Sequence, residues 1–459
     1  MRCPILILIL LEVPSNNFNY FLLLGVHAFL GVLLYFMPIL ATPISLAIFG
    51  LGLLYIFKNQ NRNNEILIVC AYLVGGEVLF RMTGGNLLNE ITKYQVLVLC
   101  LIGFFYSGFS RNAMAYWLFI LLLIPAVVVS ITSLNIETNI RKAIAFNIVG
   151  PVTLGIAAIY CYRRLITFAQ MLNIIVALAL PIFSMLVYLL LYNPSVRDVV
   201  TGTTSNFETS GGFGPNQVST ILGLGMFLFA TLVLFQSKSK IFLIIHLALL
   251  VVISFRAIVT FSRGGVITGV VMIVLLLLMI FRKGNNAMRT RILMISIFTG
   301  FLAVGIWTYT SIQTSGLIDK RYANQDAAGR EKADALGGRE EIAKTELAMF
   351  LENPIFGIGV GKNKEYREEQ TGIVAASHNE ITRLLAEHGM FGIFAILILL
   401  ITPLVLSIDN KQHILLFSFF AFWLLTINHA AMRTASPAFI YALSLLKITG
   451  LEKPALHRE

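Results

Sequence analysis

Apolar positions along this chain come mostly as long unbroken runs rather than as one-sided stripes. Residues 96–109, 117–134 and 266–281 contain no charged side chain. Runs approaching twenty residues predict helices that cross a bilayer core of about 30 Å. In lipid such helices satisfy their own backbone hydrogen bonds, and the ten-residue alternating strands of a membrane barrel are absent. Counting along the chain predicts about fourteen spans of this kind. They begin near Phe18, Ile44, Ile66, Tyr94, Ala113, Ala143, Ile166, Gln217, Ile241, Val266, Ile292, Gly389, Gln412 and Ser436. The expected fold class is therefore all-α: a polytopic integral membrane protein of about 12–14 transmembrane helices with one large extramembrane loop. Residues 18–57 are long enough for two spans broken at Pro38 and Pro43, or for a hairpin that only enters the membrane.

Composition agrees with the pattern. Hydrophobic residues make up 57% of the 459 and charged residues 12%, against roughly a quarter charged in soluble chains. The net charge of +11 raises the question of nucleic acid, and its distribution answers it. With the N-terminus in the cytoplasm, Lys58, Arg62, Arg111, Arg163, Arg164, Lys238, Lys240, Arg282, Lys283, Arg289, Arg291, Lys411, Lys447 and Lys453 all fall inside. That is the positive-inside pattern, so the charge reflects topology and no nucleic-acid partner is expected. Residues 1–11 lack a small-residue cleavage site and do not read as a cleaved signal peptide. Cys3, Cys70, Cys100 and Cys161 all lie in apolar stretches, which supports neither a disulfide framework nor a cysteine metal site.

Between residues 312 and 388 the composition reverses. This stretch holds 13 of the 23 carboxylates and 10 of the 34 lysines and arginines. It is far too long for a simple connector, and loops of that length are functional or disordered. Two patterned segments speak for order. In 338–353, GREEIAKTELAMFLEN, Ile342, Leu347, Phe350 and Leu351 recur at helical spacing, Glu340 and Glu341 occupy the first turn, and Asn353-Pro354 stops the helix. In 377–389, SHNEITRLLAEHG, Ser377 and Glu380 make a capping box and Arg383 pairs with Glu387 at i,i+4. That cap puts His378 at the first helical position, where the field of the helix N-terminus disfavours imidazolium. A neutral imidazole accepts protons, which makes His378 a candidate general base, the alternative being an ordinary surface histidine beside a cap. The glycines at 357, 359 and 361 follow a helix stop rather than a strand, so they predict a tight irregular turn and not a dinucleotide fingerprint.

Arginines on the outer side run against the positive-inside trend. Arg263 sits in TFSRGG at 260–265, and Arg256 lies one to two turns earlier. Arg81, Arg141, Arg197, Arg339 and Arg433 fall outside or near the same boundary. Interfacial arginines are functional candidates because their desolvation must be offset, and the guanidinium fork matches pairs of phosphate oxygens. Each has a plainer reading as a snorkelling or paired residue, Glu77/Arg81 at i,i+4 above all.

The order of these motifs resembles the O-antigen ligase and polymerase superfamily: GGFGPN at 211–216, TFSRGG at 260–265, GRE at 338–340, ENPIFGIGVG at 352–361 and SHNEITRLLAEHGMFGIF at 377–394. The likeness covers roughly residues 206–394 at motif level. It divides the chain into N-terminal helices (1–205), core helices (206–311), a periplasmic loop carrying the chemistry (312–388), and C-terminal helices with a short cytoplasmic tail (389–459). The resemblance implies a glycosyltransferase of the bacterial inner membrane with both termini cytoplasmic. Its donor would be a polyprenyl-diphosphate-linked glycan and its acceptor a glycolipid such as the lipid A core. It implies His378 as the catalytic histidine and Arg263 and Arg339 as the arginines that handle the diphosphate. Arg256, Arg81, Asn216 and Asn379 are further candidates for substrate binding, and neither metal nor cofactor is expected. A polymerase using the same donor, or a lipid-linked glycan flippase, are the competing readings.

Overall fold

The computed structural model describes residues 17–237, 239–332, 339–372 and 376–450; the expectations for residues 1–11, Cys3, Lys238, Gly338 and Lys453 lie outside them. Among the described residues the chain is helical almost throughout. α1 (Asn17–Phe36) and α2 (Ala41–Asn59) are separated by a 3-10 turn at Pro38–Leu40. There follow α3 (Glu65–Met82), α4 (Ile91–Ser107), α5 (Met114–Ser133), α6 (Ile140–Cys161), α7 (Phe168–Tyr192), α8 (Pro215–Phe235), α9 (Lys240–Ile258), α10 (Arg263–Lys283) and α11 (Asn286–Gln313). Four short helices come next: α12 (Leu317–Tyr322), α13 (Arg339–Glu352), α14 (Lys362–Thr371) and α15 (Glu380–His388). The chain then returns to α16 (Met390–Asp409), α17 (Leu416–Ile427) and α18 (Ser436–Leu443).

Each of the fourteen apolar runs is a helix, and ten of them are long and apolar enough to cross a membrane. The other four are α3, which carries Glu65, Glu77 and Arg81, and the shorter α4, α17 and α18. α17 and α18 have 12 and 8 residues, or about 18 Å and 12 Å of helix, well short of a bilayer core of about 30 Å. The bend between them, 428–435, is buried in the protein apart from Asn428 and Arg433.

α3 is buried along its whole length from Glu65 to Phe80 and packs along α7. α8 lies between α9 and α10 and is buried from Val218 to Leu232. The α8–α10 contact is close because small residues line it. A Cβ on Gly265 would stand 2.1 Å from the Ser219 carbonyl oxygen, and one on Gly223 would stand 2.0 Å from that of Gly265. Small residues spaced by four let two membrane helices approach backbone to backbone, and here they fix the start of α10 against α8. α11, in contrast, leans away from the body: of its 28 residues only Ile292 and Thr310 are buried.

Loops gather at two ends. At one, a short parallel pair joins β1 (Leu165–Thr167) to β2 (Lys447–Thr449), and Arg163 pairs with Asp409 at 3.2 Å. At the other, Asn206 N–H bonds the Thr260 carbonyl, Thr203 bonds that of Gln325, and Ala431 N–H bonds that of His378. The long polar stretch is thus ordered helix and turn wherever it is described. Its glycines at 357, 359 and 361 all have positive φ, at 71°, 93° and 85°. The turn they make packs on Ser130 and Ser133 of α5, Ala143 of α6 and Glu387 of α15, as the irregular-turn reading expects.

Two sequence expectations need correction. The Ser377/Glu380 capping box does not form: α15 begins at Glu380, and Asn379 caps it by accepting from Ile381 N–H (2.8 Å) and Thr382 N–H (3.4 Å). Ser377 is drawn away to Glu346 and to the Asn379 carbonyl, so His378 precedes the cap instead of opening the helix. The buried face of α13 is also not the apolar one. Ile342, Glu346 and Met349 face inward, whereas Leu347 and Leu351 are 47% and 68% exposed.

Candidate active site

His378 stands at the end of the bundle where four elements meet. Its carbonyl accepts from Ala431 N–H at 3.2 Å, and Arg433 donates to the neighbouring Ser377 carbonyl at 3.1 Å. The imidazole is half-buried, with Nδ1 enclosed and without a hydrogen-bond partner among the described residues. Burial pushes its pKa down to about 4, helped by the positive charges of Arg433, Arg339 and Arg367 and by His429. The ring is held neutral, as the sequence suggests. Desolvation and neighbouring arginines, more than a first-turn position, are the cause.

Around it the cations converge. Arg339 opens α13, and its pKa is lowered by burial and by Arg263. Arg321, from α12, is lowered by burial, by Arg263 and by Arg339. Arg433, from the bend before α18, is lowered by burial and by Arg339. Like charges raise one another's energy in this way only when they are close and poorly solvated. Among the described residues no carboxylate forms an ion pair with Arg321, Arg339 or Arg433. A cluster of this kind has its lowest energy with a polyanion in it.

Arg263 owes its place to a strapped turn. Phe261 adopts φ +58°, and its carbonyl accepts from Arg321 Nε at 3.0 Å. Ser262 donates to Asn216 at 2.8 Å, and Ser219 donates to the Ser262 carbonyl at 2.7 Å. With its hydroxyl so engaged, Ser262 makes no side-chain cap on α10. Gly264 touches the His429 ring: a Cβ there would stand 2.5 Å from ring carbons. His429, buried, is fixed by the Leu425 carbonyl (2.9 Å) and Thr220 (3.1 Å).

The other sequence candidates hold the frame. Arg81 pairs with Glu77 at 3.1 Å and donates to Gln217 and the Arg433 carbonyl, while Glu77 accepts from Ala435 N–H at 2.7 Å. The pair on α3 thus grips the bend that carries Arg433. Arg256 is buried on three carbonyls, of Leu189, Asn193 and Thr209. Asn216 ties α8 to Ser262, Asn379 caps α15, and Arg141 and Arg197 are exposed. Sequence reading names Arg433 only as one of several outer arginines and passes over Arg321 and His429. The one available signal was a polar break, NHAAMRTA at 428–435, between two runs too short to span.

Beside the cluster, between α9, α10 and α11, lies an almost wholly apolar cleft of about 730 Å³. Val270, Leu277, Gly300 and Ala303 line it, and Trp307 and Tyr322 close its outer end with rings 4.8 Å apart. Tyr322 is also within the field of Arg263 and Arg321, so this end of the cleft lies beside the cationic site. No curated protein matches the sequence. Residues 248–397, about a third of the chain and a stretch that contains Arg263, Arg321, Arg339 and His378 but neither His429 nor Arg433, are similar to the family described as O-antigen ligase.

Proposed function

We propose that this protein transfers a glycan from a polyprenyl-diphosphate carrier to a sugar hydroxyl on a glycolipid acceptor such as the lipid A core. The reaction would take place at the non-cytoplasmic face of the inner membrane. The observation that carries the reading is the convergence of one neutral histidine with Arg263, Arg321, Arg339 and Arg433. Their side comes from the charge pattern, since Arg163, Arg282, Lys283, Lys411 and Lys447 occupy the opposite end of the helices.

In this mechanism Nε2 of His378 takes the proton of the acceptor hydroxyl as that oxygen attacks the anomeric carbon. The new C–O bond forms while the bond from that carbon to the diphosphate breaks, and the electron pair leaves on the phosphate oxygen. Arg263 and Arg339, with Arg321 and Arg433 behind them, stabilise the charge arriving there. His378 then returns its proton to water. Single displacement inverts the anomeric centre, so retained configuration in the product would refute this route. Arg81, Arg256, Asn216 and Asn379 act in this reading by holding the elements that present the substrate-facing groups.

The apolar cleft receives the polyprenyl chain. Gly300 lines it with nothing within 4 Å of a Cβ position, so Gly300→Phe fills the cleft without strain. Its expected effect is a rise of about tenfold in the KM for lipid-linked donor, with kcat nearly unchanged. Excluding two chain methylenes costs roughly 1.6 kcal/mol, a little over a factor of ten. An unchanged KM would remove the cleft from donor binding.

The test of function is the envelope glycolipid pattern of a deletion strain on gels, with and without the wild-type gene. A ligase leaves mature polymer on the polyprenyl carrier and none on the final acceptor. Loss of polymer with single repeat units still transferred makes it a polymerase instead. Glycan trapped on the cytoplasmic side makes it a flippase.

A further inference from the structure

α13 carries Arg339 in its first turn and Glu346 seven residues later, on the same side of the helix and about 10 Å along it. The Glu346 carboxylate is fully buried, as is the guanidinium of Arg367 on α14 that donates to it at 2.7 Å. Its second oxygen accepts from Thr382 at 2.5 Å and from Ser377 at 3.3 Å. Those two residues bracket His378, one before it and four after. Arg367 is held in turn by Thr345 at 3.3 Å.

A wholly buried ion pair is a poor way to gain stability. Desolvation of the two charges offsets most of their attraction, and apolar residues of similar volume serve as well or better. What the pair supplies here is direction. One carboxylate receives three donors from two other elements, and two of those donors flank the same histidine. This buried side-chain network therefore joins the helix of Arg339 to the segment of His378.

We infer that Glu346 is a positioning residue, and that through Ser377 and Thr382 it sets the spacing between His378 and Arg339. This rests on the reading of His378 as the base. A misplacement of about 1 Å at a reacting group costs on the order of a hundredfold in rate. A loosened His378 segment should therefore slow transfer without weakening donor capture at Arg263 and the cleft.

The test is Glu346→Leu with Arg367→Leu in the full-length protein, assayed with lipid-linked glycan extracted from the deletion strain. Removing both charges leaves none buried alone, so thermal stability should stay within a few degrees of wild type. The expected result is a kcat lower by about 30- to 100-fold with the donor KM within about threefold. Retained stability with near-wild-type kcat overturns the proposal, as does a loss carried by KM. If the double variant melts early, Ser377→Ala with Thr382→Val decides, because it leaves the ion pair intact. A kcat loss of about tenfold or more supports the positioning role, and full activity refutes it. His378→Ala, run in parallel, separates the two claims: activity there defeats the base assignment, whereas activity only in the Glu346/Arg367 variant defeats the positioning alone.

Discussion

Replacing His378 by alanine should lower the rate of glycan transfer by about 10²- to 10⁴-fold, the usual span for removing a general base. That corresponds to about 2.7–5.4 kcal/mol of transition-state stabilisation. Donor KM should change little, because the cations that hold the diphosphate come from other elements. The pH dependence gives an independent check. In the free enzyme the His378 pKa is pushed from 6.5 down to about 4, by burial first and then by Arg433, Arg339 and Arg367. A depressed pKa keeps the proton-accepting form present at neutral and mildly acidic pH and removes it only as pH falls towards about 4. The profile of kcat/KM, which reports the free enzyme, should therefore stay flat through pH 6.5 and lose its acid limb near pH 4. The limb in kcat should lie higher, since a bound diphosphate offsets the arginines that depress the histidine. An acid limb of kcat/KM at 6.5, or a His378→Ala enzyme that transfers glycan at the wild-type rate, would eliminate the proposed base.

What the sequence discloses and what it hides divide along a physical line. Ten of the fourteen apolar helices are legible because lipid demands long runs with little charge, and nothing in tertiary packing can supply that hydrophobicity afterwards. α13 and α15 are legible for a similar reason: acids in the first turn, a proline stop and a glycine end are local devices. The cap of α15 is not. Ser377 and Asn379 are both competent N-caps, and the choice falls to Asn379 because Glu346 engages the Ser377 hydroxyl from another helix. The inward face of α13 is hidden for the same cause. A glutamate between Ile342 and Met349 reads as polar surface until Arg367 is seen opposite it. His429 is the largest omission, and Arg433 is legible only as one outer arginine among several. Their segment passes for a connector because hydropathy registers the apolar runs of α17 and α18 and not what the residues between them pack against. The neutral state of His378 was legible with the wrong leading cause, since burial and distant arginines are products of the fold.

The second large effect is expected at Arg263, where Arg263→Lys should reduce kcat by about 10²- to 10³-fold although the charge is kept. Loss of one well-aimed donor to a developing oxyanion costs about 2.7–4 kcal/mol, and a lysine ammonium presents no planar pair of N–H groups to two phosphate oxygens. The geometry around the residue makes the exchange unfavourable. Arg263 is the first residue of α10, its approach fixed by the Phe261 turn and by Ser262 on Asn216, and its helix packed backbone to backbone on α8. The guanidinium is therefore held by a rigid base at the uncapped N-terminus of a 21-residue helix, where the helix dipole adds to its field. A lysine there keeps the long-range attraction for the diphosphate, so donor KM should rise by only a few-fold, and the deficit should fall on kcat. Arg263→Ala should lose both. The measurement is steady-state transfer with the extracted lipid-linked donor, with thermal stability recorded for each variant. A folded Arg263→Lys enzyme with wild-type kcat would mean that Arg263 acts as a point charge or as part of the frame, and the leaving group would then belong to Arg339, Arg321 and Arg433.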